Sequence, residues 1–333
     1  MMNRRELMLG TLAASAAASS LGGIAAAPAL AALAPLKVAA VKFGSVNWLL
    51  ETIKAEGLDS KQGLTIVPVE LSNNQAGPIS LLSGGSDVIV SDWPWALRQR
   101  GLGEALKFAP YSSALGAVMV AAASDIKTLD QLAGRRLGVA GSAIDKSWIL
   151  LQTYARKKIG LDLAAKSTVQ YGAAPLLTEQ LRSGSLDAAL NFWTQNVRLD
   201  PAGFRQILSM KEVLSALEID PVPAFVGFIW KEATAAGKSA EIAAFLAAAQ
   251  AANAILATSD PAWDRLKPLV RAGSDPEFAA VRSAYRAGIV PAWRDADMKS
   301  AEKLMQLLIE SGDSELTGAG TKFDPKLFHV ANA

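Results

Sequence analysis

Apolar and polar positions follow a repeating cycle along this chain: a short apolar run, a polar loop, an amphipathic segment that stops at glycine, then another apolar run. Leu36 to Val41 (LKVAAV) predicts a buried strand. Asn47 to Glu56 is apolar at 49, 50 and 53 and stops at Gly57, which predicts a helix lying over that strand. Leu64 to Leu71, rich in β-branched residues, predicts a second strand, Ala76 to Leu82 a short helix with Pro78 in its first turn, and Asp87 to Val90 a third strand. Pro94 stands where the next helix, Trp95 to Arg100, would begin. The order β-α-β-α-β belongs to a parallel sheet with helices on its faces.

After the strand-like runs Leu106 to Ser112 and Gly116 to Ala122, and a short helix within Ile126 to Gly134, the cycle restarts. Leu137 to Ala140 predicts a strand, Ile144 to Lys158 a helix, Ser167 to Tyr171 a strand, Pro175 to Arg182 a helix and Asp187 to Leu190 a strand, with Asn191 to Asn196 as a loop. Two stretches recur in the same order. LLSGGSDVIVSDW (Leu81 to Trp93) returns as LRSGSLDAALNFW (Leu181 to Trp193), and the stretch from Trp48-Leu49-Leu50 to Gly57-Leu58-Asp59 returns from Trp148-Ile149-Leu150 to Gly160-Leu161-Asp162. Such a pseudo-repeat predicts two α/β lobes. Val222 to Trp230 reads as the chain crossing back into the first lobe, which makes a two-strand hinge; Ser239 to His329 is helical in pattern and should pack outside the first lobe. The expected division is residues 35–117 plus 223–333 for lobe 1 and 118–222 for lobe 2.

Composition changes the picture in three ways. With 51% hydrophobic and 19% charged residues in 333, the chain is long and apolar enough for real cores. Its 33 basic and 31 acidic residues are spread evenly to a formal +2, so no nucleic-acid partner is expected. The absence of cysteine excludes disulfides, thiol catalysis and a lipid-anchored lipoprotein. Met1 to Ala34 carries Arg4-Arg5, an Ala- and Leu-rich run from Leu7 to Ala27, and the triplets Ala29-Leu30-Ala31 and Ala32-Leu33-Ala34. This predicts a cleavable export signal over residues 1–34, similar to a twin-arginine signal although Asn3 and Leu7 replace the usual Ser and Phe. A Sec signal or an anchor is the alternative. The mature protein is expected to be a periplasmic monomer without stable membrane insertion.

In open α/β sheets ligands bind off the carboxyl ends of the strands, where helix N-termini expose unpaired N–H groups. That rule selects four loops: Phe43 to Trp48, Ser91 to Trp95, Gly141 to Asp145 and Asn191 to Asn196. The candidate ligand-binding residues are Phe43, Asn47, Trp48, Ser91, Asp92, Trp93, Ser142, Asp145, Asn191 and Trp193, with Gln75 and Phe225 weaker. Each has a structural alternative. Ser142 with Asp145 forms a capping-box spacing, Asp92 could cap the helix that follows it, and the tryptophans could be lobe core rather than cleft lining. Trp263 and Trp293 read as core anchors. Enzyme chemistry has little to work with: the one histidine is His329, there is no phosphate loop and no GxGxxG, and Asp295 with Asp297 lacks the partners of a calcium loop. No catalytic residue, metal or cofactor is expected.

The chain resembles the nitrate, sulfonate and taurine family of ABC-transporter substrate-binding proteins over essentially its whole mature length. The resemblance is carried by the opening strand with Asn47-Trp48, by Leu81 to Asp87, by Ile126 to Val139 and by Leu181 to Ala188; within the third segment Gln131 and Arg135 replace the family's Asp and Lys. It implies a two-lobed α/β periplasmic binding protein of type II, each lobe a mainly parallel sheet flanked by helices. Such a protein closes on a small-molecule ligand and delivers it to an ABC permease in the inner membrane. Asp92 would repel an anion unless turned away, so a nitrogen heterocycle, an amine or a zwitterion is expected rather than a simple sulfonate or nitrate. A periplasmic sensor is one alternative. Another is an enzyme on the same scaffold, like the thiamine-pyrimidine synthases, which rely on a histidine and a cofactor lysine.

Overall fold

A computed structural model describes residues 33–42, 44–290, 293–311, 318 and 321–329. The expected leader lies outside the described residues except for Leu33 and Ala34, and so does Phe43. Ten strands run in chain order: β1 (Leu36–Val41), β2 (Ile66–Leu71), β3 (Val88–Asp92), β4 (Leu106–Ser112), β5 (Ala117–Ala121), β6 (Arg136–Ala140), β7 (Thr168–Gly172), β8 (Ala188–Asn191), β9 (Phe204–Ser209) and β10 (Val226–Lys231). They form two five-stranded sheets, β2-β1-β3-β10-β4 and β7-β6-β8-β5-β9. In each, four strands run one way and one, β10 or β5, runs against them between two antiparallel partners, so both sheets are mixed. The chain passes between the sheets twice, from β4 to β5 and from β9 towards β10, as a two-lobed type II fold requires.

The pseudo-repeat is structural. Each copy ends a helix at a glycine with positive φ, Gly84 at 78° and Gly184 at 73°, a conformation that costs other residues about 1–2 kcal/mol. Each then sets an aspartate at the foot of the central parallel strand. Asp87 Oδ2 accepts the Lys37 amide at 2.8 Å and Asp187 Oδ2 accepts the Arg136 amide at 2.8 Å, which fixes the β1–β3 and β6–β8 registers in the same way. The leucines that open the motif, Leu81 and Leu181, are both buried.

Twelve helices complete the fold among the described residues: α1 (Val46–Ala55), α2 (Ala76–Leu82), α3 (Trp93–Gly101), α4 (Lys146–Tyr154), α5 (Leu163–Lys166), α6 (Ala174–Arg182), α7 (Trp193–Leu199), α8 (Met210–Ala216), α9 (Glu232–Thr258), α10 (Asp260–Val270), α11 (Asp275–Ala287) and α12 (Asp295–Glu310). Helix α9 is long and apolar enough to cross a membrane, yet its apolar face packs on α1, β1 and β10. Ile242, Phe245, Ala248, Ala249 and Ala252 share one core there with Trp48, Trp263 and Tyr285. Helices α9 to α11 thus cover lobe 1. Helix α12 reaches the other lobe as well: Ala301, Leu304, Met305 and Leu308 belong to the cluster that holds Ile149, Leu151, Val213 and Leu217. Trp263 is fully buried and Trp293 stacks on Phe328 at 4.7 Å, so both are core.

Sequence patterning misses β9, α8 and α7. Strand β9 is half-exposed and alternates weakly, which leaves no apolar run to read. The stretch Asn191 to Asn196, expected as a loop, largely forms the first turn of α7. For α8 the signal was present: Ser209 and Glu212 form a capping box, Ser209 Oγ accepting the Glu212 amide at 3.1 Å and Glu212 Oε2 the Ser209 amide at 2.7 Å.

Candidate functional site

Two joined cavities lie between the carboxyl ends of the two sheets. The larger, about 480 Å³, is lined by Gly44, Ser72 to Gln75 on the lobe 1 side and by Gly172 to Pro175, Phe192, Thr194 and Gln195 on the lobe 2 side. The smaller, about 220 Å³, is lined by Pro78, Ser91, Asp92, Trp95, Arg98 and Val226 against Ser142, Ile144, Asp145 and Lys146. Asn74, Gln75, Gly141 and Phe192 line both, so the two form one cleft. A wider space of about 630 Å³ lies on the flank between α12 and Leu217 to Ile219, away from every strand end; its Lys303 is engaged by the Glu218 carbonyl at 2.8 Å.

Four of the ten candidates line this cleft, Ser91, Asp92, Ser142 and Asp145, and so does Gln75, one of the two weaker ones. Asp92 is the N-cap of α3, its Oδ1 accepting the Trp95 amide at 3.0 Å. Its Oδ2 accepts from Lys146 Nζ at 3.3 Å. Ser142 does not cap α4. That helix starts later than expected, at Lys146, and Asp145 caps it through the Ser147 amide at 2.8 Å. Burial pushes the Asp145 carboxyl above the usual range, against the pull of Lys146 and of two amides. For Lys146 burial works against the charge, but the carboxylates of Asp92 and Asp145 outweigh it and hold the ammonium above its ordinary pKa.

The tryptophans and asparagines are corrections. Trp93 has no exposed surface and stacks on Phe225 at 5.7 Å, so the first helical turn of α3 turns its indole into the lobe rather than the cleft. Phe225, 1% exposed, is removed from candidacy by the same contact. Trp48 is 3% exposed, edge-on to Trp263 at 6.0 Å within the lobe 1 core. Trp193 leaves its own lobe and packs edge-on against Trp48 at 6.2 Å and near Tyr285. Asn191, 2% exposed, donates to the Ala174 carbonyl and Thr178 Oγ1, both at 3.0 Å, and accepts the Phe192 amide at 2.9 Å; its donors are spent inside the lobe and it does not reach the cleft. Asn47 spends its amide on the carbonyls of Val41 and Lys42, at 2.8 and 3.0 Å, tying down the loop after β1.

Trp95, Phe192, Thr194 and Gln195 lie in the selected loops but were not singled out, and Arg98 and Lys146 lie outside those loops. Lys146 left a signal: a lysine at the first position of a helix opposes the helix dipole, a local cost that asks for a partner. Chemically the cleft offers an apolar and aromatic wall, both signs of charge in one half, and in the other the starts of α1 and α6, which no side chain caps among the described residues.

Residues 54–262 match the model of the NMT1/THI5-like family. Among solved structures, the alkanesulfonate-binding protein SsuA from Xanthomonas axonopodis pv. citri, bound to MOPS, is 16% identical with a TM-score of 0.69, covering 90% of this chain and 100% of that one. The periplasmic aliphatic sulphonate binding protein SsuA from Escherichia coli is 16% identical with a TM-score of 0.70, covering 90% and 93%. The ligand-binding component of an ABC-type import system from Staphylococcus aureus, with zinc bound, is 10% identical with a TM-score of 0.65, covering 88% and 97%. No curated protein sequence matches significantly.

Proposed function

The chain belongs to the NMT1/THI5-like family, and from that premise we propose that it is a periplasmic solute-binding protein that captures a small organic molecule and passes it to an ABC-type permease. One observation carries the reading: a cleft at the carboxyl ends of two sheets that the chain joins by two crossings. Two lobes so connected can close on a solute by rotation about the crossings. The lobes are proposed as residues 35–117 with 223–333 and residues 118–222, and the mature chain as starting near Pro35 after export, by a twin-arginine or Sec route.

The ligand is proposed to be a nitrogen heterocycle, an amine or a zwitterion. The support now differs from simple repulsion of anions by Asp92, because Lys146 and the start of α3 already engage that carboxylate. What favours a ligand of mixed polarity is that Asp92, Asp145, Arg98 and Lys146 bring both charges to the smaller cavity, beside Trp95. Against an enzyme stands the place of the only histidine: His329 lies edge-on to Trp230 and donates its amide to the Phe108 carbonyl at 2.7 Å, remote from the strand ends that form the cleft. The test is mass spectrometry of the solute released by denaturing freshly purified protein, followed by re-addition of that compound. A stoichiometric small molecule that raises the melting temperature on re-addition supports the reading. Protein that releases nothing and gains no stability from any small solute sinks it.

A further inference from the structure

Asp92 ends β3 in the first sheet and Lys146 begins α4 behind β6 of the second, so their 3.3 Å contact crosses the cleft from one lobe to the other. The side chains are only 19% and 17% exposed. Of the two, Lys146 sits against local preference. Lys146 places a positive charge at the positive end of α4, and Asp92 needs only one oxygen to cap α3 yet turns the other across the gap. A lysine at that helix start is better explained by its partner in the other lobe than by its own helix.

We propose that Asp92 and Lys146 are positioning residues whose ion pair latches the lobes together across the cleft before solute arrives. The inference rests on reading that space as a cleft whose walls move. The crossings from β4 to β5 and from β9 towards β10 lie to one side of the cleft and share a core through Leu115, Ile219, Val222 and Phe225. That core acts as the axis, and the latch holds the walls in front of it. The charges facing the pair are those of Asp145, which adjoins Lys146, and Arg98, which lines the same cavity. With the latch made, both lobes present their lining residues at binding distance without a solute to draw them in, and less of the binding free energy is lost to closure.

The chain has no cysteine, so Ile79→Cys on α2 and Leu176→Cys on α6, at positions 69% and 53% exposed on the two lobes, give unique sites for spin labels. Asp92→Asn keeps the cap on α3, since asparagine caps as well as aspartate, and removes only the charge. Lys146→Met removes a charge that α4 itself disfavours, so neither variant loses closure by losing its helix. In solute-free protein, with melting temperature as the control for folding, each single variant should raise the population of the longer interlabel distance roughly three- to tenfold. The double variant should open no further than either single one. Salt at about 0.5 M should open the wild-type protein and leave Asp92→Asn unchanged. If removing the solute lengthens the distance but neither substitution nor salt does, the latch is overturned while the moving cleft stands. If the distance is the same with and without the co-purified solute, in every variant and at every salt concentration, both fail.

Discussion

Trp93 has its ring fully enclosed and its Nε1 without an acceptor among the described residues. A buried donor left unpaired costs about 1–3 kcal/mol, while the ring's stacking on Phe225 and its contact with Phe328 favour the fold. Trp93→Phe keeps a ring in place and deletes the unpaired group, so stability should change by less than about 1 kcal/mol; Trp93→Ala should lose about 3–5 kcal/mol. Urea denaturation of the two variants checks this, and a large loss in Trp93→Phe would mean that Nε1 does have a partner. The same residue shows why side-chain roles were only partly legible. A tryptophan at a strand-to-helix junction is visible in the sequence, but which way it turns depends on where the first helical turn begins. That start shifted from Trp95 to Trp93 at α3 and from Ile144 to Lys146 at α4. At α3 the shift put the indole of Trp93 into the core, and at α4 it brought Lys146 to the cleft. The cap that Asp92 puts on α3 was legible, because capping is a short-range effect, whereas at α4 the cap fell on Asp145 rather than on Ser142.

At the scale of elements the repeat was legible because it is written in glycine stops, a buried leucine and an aspartate, each with a backbone reason. Asp187 shows how the second copy is held. Its carboxylate pairs with the Arg136 guanidinium at 2.7 Å and also accepts the Arg136 amide. The hydrogen bond from Arg136 holds the Asp187 pKa below the usual carboxylate range, although partial burial opposes the shift. A depressed folded-state pKa contributes stability that is complete above the unfolded value of about 4 and is lost as pH falls through the lower folded value. Stability measured by urea titration should therefore fall more steeply below about pH 4 in the wild-type protein than in Asp187→Asn. The variant itself should be weaker near pH 7, since Arg136 then loses its charged partner. Parallel acid limbs would remove Asp187 from the joint. Strand β9, by contrast, could not be read: its residues are half-exposed on both faces, and it exists because β5 pairs with it. Tertiary pairing of this kind leaves little mark on the strand that receives it.

Across the whole molecule the two lobes are separate as sheets and continuous as a core. Ile89 and Phe108 of the first sheet, Val118 and Leu137 of the second, both crossings, and Leu304 and Met305 of α12 belong to one buried cluster. A second contact joins the lobes where Arg198 of α7 pairs with Glu277 of α11 at 2.6 Å and donates to the Val270 carbonyl at 2.6 Å, beside Trp193 in the lobe 1 aromatics. The shared core leaves the lobes free to open, because it contains the crossings and so lies on the proposed axis of rotation. Both attachments forbid independent unfolding. Exposing one lobe would open the cluster that supports the other, so calorimetry should give a single transition with the calorimetric and van't Hoff enthalpies equal. Leu304→Ala, at a position with no exposed surface, tests the sharing directly. It should lower stability by about 2–5 kcal/mol and destabilise probes in both sheets by the same amount, read by amide exchange at Ile89 and Leu137. Loss of protection confined to one sheet, or two resolved transitions, would show that the lobes fold apart and that α12 serves only one of them.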